Sequence, residues 1–375
     1  MRSSRPFLPI VLAALLPVAA ACAPAVPPSP PPAPAAPVPA APTPDPAVAA
    51  RAAEAALADF YKGKTVQILV GFAAGGGYDT YSRVIAKHIG KYIPGNPTVI
   101  VQNVPGAGSM VAANQVYSTQ PKDGTIIGNI SGPIVLEQLF GSPGAQFDMA
   151  KFRHLAVPTA EAYMMMVLKR TGITQLSDLL GPDAKQVVIG GIPGSTVEHA
   201  PILMRDALGA NIKLVSGYDG TSKVRLAMES GEVDGFFNTW QSMKVTSLAE
   251  VQSGNWVLLM QLNDKGFTDL PGKVPTILDV AKTDEQRQLL LFGTSYPNKF
   301  GKLYVMAPEV PAERAAAIEA AFAKTFQDKE FLEEAQKANL EIAPLYGKEV
   351  AALIKEMLAM PEGIKEKLRK VMAAN

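Results

Sequence analysis

The chain has one cysteine, two tryptophans and three histidines in 375 residues. A lone cysteine, Cys22, excludes internal disulfides, so packing must hold the body together. The histidines, His88, His154 and His199, fall at no metal-ligand spacing, so no metal is expected, and no cofactor either. Neither His-Glu-x-x-His nor Gly-x-Ser-x-Gly occurs. Ser195 and His199 lie four residues apart on one expected helix, a poor nucleophile-base pair without a third orienting group, so no enzyme is expected. Charge of one sign is also lacking: 35 basic residues balance 34 acidic ones. That balance gives no electrostatic footprint for nucleic acid. Beyond the N-terminus no apolar run approaches the roughly 18 residues of a membrane span.

What is present begins with a targeting pattern. Arg2 and Arg5 precede an apolar stretch over 7–21 that ends in small residues, the layout of a secretory signal peptide over 1–21. Cys22 follows Ala19-Ala20-Ala21, which resembles a bacterial lipobox and makes Cys22 the expected lipidation site. An ordinary Ala-x-Ala cleavage site is the alternative. The Pro/Ala-rich stretch 22–46 has almost no charge and reads as an extended tether holding a body off a membrane. The expected location is therefore exported, on the periplasmic or cell-surface side, anchored through lipid.

Apolar residues make up 48% of the chain and charged residues 18%, enough for a sizeable core. A short helix is expected over 45–61. Strands at 65–70, 98–102 and 125–130 then alternate with helices at 79–93 and 109–117. This is the pattern of a doubly wound α/β unit with a parallel sheet. The pattern restarts with strands at 162–168, 186–190, 212–216 and 232–238 and helices at 197–208 and 221–230. A strand at 302–307 and helices at 312–326, 329–338 and 348–357 follow. Two α/β lobes are expected, the first from 47–163 and 297–375, the second from 164–296, with a ligand cleft between them.

Ligands of open α/β sheets bind at the carboxyl ends of strands. There the segment Gly71-Phe72-Ala73-Ala74-Gly75-Gly76-Gly77-Tyr78-Asp79 leaves the first strand and opens a helix. Its glycines let backbone N–H groups approach a ligand, and the helix start favours negative charge, so a carboxylate suits it. Asp79 either caps the helix or orders water or an amine. The second lobe repeats the arrangement with Gly190–His199, where Gly194, Ser195 and Thr196 offer donors at a helix start. His199, one turn in, is either a structural hydrogen-bonding residue or a ligand contact. Asn129, Ser131 and Gly132, then Tyr218, Asp219 and Gly220, then Asn238 and Thr239 end further strands on the same side.

These loops, with Asn103–Gly108, Pro121–Thr125, Gly217–Gly220 and Gly231–Asp234, stand in an order that resembles the substrate-binding receptors of tripartite tricarboxylate transporters, the Bug receptors. The resemblance implies a two-lobed periplasmic-binding-protein fold, type II-like, with two crossovers. It implies a solute-binding protein for a small carboxylate, working with two integral membrane subunits and an ion gradient. It carries a contact role onto Ala73–Asp79, Ser195, Thr196 and His199, and Phe72 of the same loop is counted as a candidate contact with them. The chain departs from it at Asn238, where many members have aspartate, and in its long Pro-rich segment. A monomer is expected. The alternatives are a ligand-presenting component for a membrane sensor or a secreted hydrolase.

Overall fold

The computed structural model describes residues 45–263, 265–267 and 269–373. The signal-peptide and tether readings and Cys22 lie outside them. The chain forms a first sheet in the order β11-β4-β10-β3-β1-β2 and a second in the order β7-β6-β8-β5-β9. In the first, β1 is Thr65–Val70, β2 Thr98–Asn103, β3 Ile126–Ser131, β4 Arg153–Val157, β10 Lys302–Met306 and β11 Leu345–Tyr346. In the second, β5 is Tyr163–Leu168, β6 Val187–Gly191, β7 Ile212–Ser216, β8 Gly235–Thr239 and β9 Trp256–Gln261.

Each sheet has a parallel core of three strands. In the first, Ile68 of β1 stands between Val101 and Ile127. In the second, Ile189 of β6 stands between Leu214 and Gly235. Strand β1 is buried from Val66 to Val70 apart from half-buried Gln67, as a strand covered by helices on both faces must be. The three strands expected to form a parallel sheet, β1, β2 and β3, do so, and both sheets add antiparallel strands to their parallel cores. Strand β10 runs antiparallel to β3 and β4, and β5 antiparallel to β8 and β9. These are the two strands by which the chain first enters a lobe from the other. Strand β5 follows β4 through a short irregular segment, and β10 follows the helical stretch 284–298 of the other lobe, so neither is reached by a crossover helix from a neighbouring strand of its own sheet and the parallel rule does not bind them.

The two crossover segments lie side by side. Glu161 N–H donates to Asn298 O at 3.0 Å, and Gly132 N–H donates to Gly301 O at 2.9 Å. Lys302 is fully buried and ion-paired to Glu161, whose side chain is equally buried. The Tyr78 hydroxyl donates to Gly301 O at 2.9 Å and lies 3.2 Å from Glu161 Oε2. The Lys302 ammonium also stands 5.1 Å from the Tyr78 ring centre and 5.0 Å from that of Tyr81. One ion pair thus joins both crossovers to the first lobe's leading helix, Gly77–Ile89.

Helices at the two ends of the described body complete the packing. Helix Pro46–Tyr61 is fixed to the first lobe by Tyr61, whose hydroxyl donates to Gly124 O at 3.0 Å. Helix Glu362–Ala373 packs against Val135–Phe140 of the first lobe and against Thr196–Leu208 and Asp284–Leu290 of the second.

Glu161→Gln strands the buried Lys302 ammonium and should cost ~3–5 kcal/mol of stability in urea unfolding. Adding Lys302→Met should recover most of that loss. A single variant as stable as the parent would show that the pair does not hold the crossovers.

Candidate functional site

The lobes meet where the carboxyl ends of β1, β6 and β8 face one another. The cavity between them is lined by Phe72, Ala73, Gly76, Gly77, Tyr78, Tyr163, Ile192, Ser195, Val197, Thr221, Asn238, Thr239 and Ser242. Among the described residues no acidic, basic or histidine side chain belongs to this wall. Four helices begin at it: Gly77–Ile89 from the first lobe, and Thr196–Leu208, Thr221–Ser230 and Trp240–Thr246 from the second. Each helix start carries partial positive charge.

The four starts are capped in two ways. Ser195 Oγ accepts from Val197 N–H at 3.2 Å, and Thr239 Oγ1 accepts from Ser242 N–H at 3.0 Å. The other two are capped by Gly76 and Gly220, which make no side-chain cap. Lys223 N–H donates to Gly220 O at 3.0 Å, and the amides ahead of it, with those that open the Gly77 helix, are left for another acceptor.

The glycine-rich loop touches the opposite lobe directly. Ala73 N–H donates to Asp219 O at 3.3 Å, and Ser222 Oγ donates to Ala74 O at 2.9 Å. A Cβ on Gly77 would stand 1.9 Å from Ser242 Oγ, so only glycine lets the lobes approach this closely. The free volume inside is ≈ 20 Å³, room for about one water, and the lobes are closed on it.

Asp79 lies beneath this loop and outside the cavity wall. Its carboxylate accepts from Gly75 N–H at 2.9 Å, Arg83 Nε at 3.0 Å and Asn103 Nδ2 at 3.0 Å, and Arg83 closes the ion pair at 2.9 Å. Burial raises its pKa, but these hydrogen bonds outweigh burial and hold the carboxyl below its usual range. Asp79 therefore shapes the loop, fixing Gly75 in its left-handed conformation at φ 79°.

His199 is also outside the cavity. Its Nε2 stands 3.3 Å from Glu137 Oε1 of the first lobe, so it bridges the lobes on a neighbouring face. The hydrogen bond from His199, working against burial, holds the Glu137 carboxyl low. Ser195 Oγ donates to Ile192 O at 2.7 Å rather than to His199.

Of the other residues singled out from sequence, Phe72, Ala73, Gly76, Gly77, Tyr78, Ser195 and Asn238 line the cavity. Thr196 Oγ1 donates to Asn298 Oδ1 at 3.0 Å, tying its helix to a crossover. Asn129 binds Ser82 Oγ at 2.8 Å inside the first lobe. Ser131 N–H donates to Ser109 Oγ at 2.7 Å, and Gly132 packs under Phe300. Gly194 N–H donates to Glu198 Oε2 at 2.9 Å. Gly220 abuts Ala73, where an added Cβ would come within 3.2 Å. Tyr218 faces outward and donates to Glu232 Oε1 at 2.6 Å; burial, then Glu232, pushes its hydroxyl up to about 12.

Tyr163, Ile192, Val197, Thr221 and Ser242 line the cavity without having stood out in the sequence. Thr221 and Ser242 carried a usable signal, since one directly follows Gly220 and the other lies at capping distance from Thr239. Among the described residues His88, Asp328 and Glu330 could converge on a metal. Lys91 already pairs with both acids, as close as 2.9 Å to Glu330, so its ammonium supplies the positive charge there.

No protein-family model matches the chain. It is 37% identical over 87 residues to a UPF0065 protein of Cupriavidus necator, covering 23% of this chain and 25% of that protein. It is 26% identical over 237 residues to a UPF0065 protein of Bordetella pertussis, covering 60% and 69% of the two chains. Its fold is similar to that of the periplasmic binding protein BugD, with a TM-score of 0.66 at 17% identity over 83% of this chain and 98% of that one. MatC of Rhodopseudomonas palustris, solved with bound malate, gives 0.62 at 18% identity over 80% and 99%. The UPF0065 proteins are the Bug family, and the neighbours are solute-binding proteins of this type, so the resemblance read from the loops is borne out.

Gly77→Ala should keep the lobes apart and enlarge the radius of gyration in small-angle scattering, and adding Ser242→Gly should reverse this. An unchanged radius for the single variant would mean that the Gly77 contact does not set closure. Asp79→Asn should lower stability at pH 7 by about 1–3 kcal/mol, the cost of weakened charged hydrogen bonds. Because the folded pKa of Asp79 is depressed, the gap should shrink as pH falls below the ordinary carboxylate range. A gap that stays constant down to pH 3 would contradict the ionised role.

Proposed function

We propose that this chain, similar in fold to the Bug-type binding proteins, is an extracytoplasmic receptor that closes two lobes on a small carboxylate and delivers it to a membrane transporter. The observation that carries this reading is the convergence of four helix starts on a wall without a charged side chain. An uncompensated set of positive dipole ends and free amides favours an anion over a neutral or cationic ligand. A carboxylate, flat and with two acceptors, suits the uncapped amides at the Gly76 and Gly220 ends.

Binding without chemistry fits the same wall. The Ser195 hydroxyl is spent on Ile192 O, and His199 is engaged by Glu137. The fold neighbours are binding proteins, one of them solved with malate. Among the described residues no helix is long and apolar enough to cross a membrane, so delivery calls for separate membrane subunits, which we take to be two. The N-terminal pattern supports export and acylation at Cys22, with the closed receptor presented near the bilayer as a monomer.

A thermal-shift screen tests the capture. Malate, adipate, glutamate and benzoate would be compared with their carboxamides, after unfolding and refolding to strip trapped ligand. An acid at 100 times its Kd should add ~2.7 kcal/mol, and its carboxamide should add far less. Binding should also change little between low and high salt, because backbone amides rather than flexible cations hold the anion. Equal response to acid and amide, or a tenfold salt loss, would overturn the helix-end account.

A further inference from the structure

The wall of the cavity also limits which acid it can take, an inference that rests on the carboxylate reading above. Most of the polar side chains at the wall are already occupied. Ser195 Oγ both donates to Ile192 O and accepts from Val197 N–H. Thr239 Oγ1 accepts from Ser242 N–H and donates to Ser242 Oγ at 2.7 Å. The Tyr78 hydroxyl is committed to Gly301 O.

The amides left open come from the Gly76 and Gly220 ends, and these two ends abut. Ala73 N–H reaches Asp219 O, and Ser222 Oγ reaches Ala74 O across the same seam. They therefore serve one anionic group at one point. The remainder of the wall is mostly apolar or aromatic, Phe72, Ile192, Val197 and the rings of Tyr78 and Tyr163, with the Phe72 and Tyr78 rings 4.5 Å apart, and its other polar groups are the neutral hydroxyls of Tyr163, Thr221 and Ser242.

Asn238 adds a neutral amide to these hydroxyls. It is 3% exposed and lines the cavity. Its Oδ1 accepts from Thr239 N–H at 2.9 Å. Only an oxygen can accept there, which fixes the amide so that Nδ2 is the other branch. That Nδ2 has no hydrogen-bond partner among the described residues, so a neutral donor is left for the ligand.

A second carboxylate would lie in this wall without a cation. The Lys302 ammonium is 5.1 Å from the Tyr78 ring centre but behind it, and is already paired with Glu161. An ammonium would equally lack a carboxylate. Enclosing either charge unpaired is strongly unfavourable. We infer that the ligand is a monocarboxylic acid with an apolar or aromatic body, free of an ammonium group or a second carboxylate, whose body or acid oxygen takes the Asn238 Nδ2 donor.

Isothermal titration of the purified protein with matched probes decides this. Hexanoate, adipate, 2-aminohexanoate and hexanamide share a chain length, and benzoate and terephthalate repeat the comparison on a ring. At least one monoacid should bind ten times more tightly than its diacid and, for the six-carbon set, its amino acid. A diacid or amino acid that binds as well as the monoacid overturns the inference and leaves carboxylate capture standing. Hexanamide binding as tightly as hexanoate, or no acid binding at millimolar concentration, takes the capture reading down with it. Asn238→Asp, checked for folding by circular dichroism, should weaken the monoacid at least tenfold and strengthen 2-aminohexanoate. Undiminished monoacid binding in that variant also overturns the inference.

Discussion

The ion pair between Lys302 and Glu161 is the constraint on which the rest of the architecture depends. Two charges removed from water must stay together, and here they sit on different crossover segments, Glu161 just ahead of β5 and Lys302 at the start of β10. Breaking them apart would expose an unpaired charge to a dry interior, so the crossings cannot separate while the lobes remain folded. The Tyr78 hydroxyl extends the same network to the first turn of the Gly77–Ile89 helix, which is also a wall of the cavity. The place where the chain changes lobes and the cavity between the lobes are thus held in register by one set of buried polar contacts.

Around that fixed point the binding chemistry we propose is made of backbone. Strands deliver four helices whose starts meet at one seam, and glycine at two of the starts leaves amides open where serine or threonine would have closed them. Charged residues near the loops are turned to other uses. Asp79 draws Arg83 and Asn103 together beneath the glycine loop, and His199 reaches Glu137 across the lobes. Removing charge from the wall keeps the dipole ends uncompensated, and under the proposed function selectivity would rest on the shape and polarity of Phe72, Tyr163 and Asn238.

Much of the fold was legible because its cues are local. The apolar runs of β1 and β7 and the glycine-bounded helix Thr221–Ser230 fall where the sequence places them. Strand β9 was harder, since six largely apolar residues between polar turns do not distinguish a strand from a buried helical turn. Helix Glu362–Ala373 is not among the elements expected from sequence, because its many charged residues outweigh the buried Ile364 and Leu368 that dock it. The antiparallel entry of β5 and β10 depends on which lobe each belongs to, which no local pattern encodes. The site divides in the same way. Its glycines and caps are conspicuous, whereas Tyr163, Ile192 and Val197 are ordinary core residues until the other lobe closes over them. Asp79 could have been assigned from Arg83, four residues on along the same helix.

The attachment of helix Pro46–Tyr61 has a consequence for the working cycle. Because Tyr61 ties that helix to Gly124, any restraint on the chain ahead of it is transmitted to the first lobe alone. The first lobe is then the stator, and the second lobe is the part that swings. Three of the four helix starts ride on the swinging part, while the glycine loop and its open amides stay with the stator. An anion would be met first by a stationary cradle, and the moving lobe would bring most of the dipole to it as it shuts.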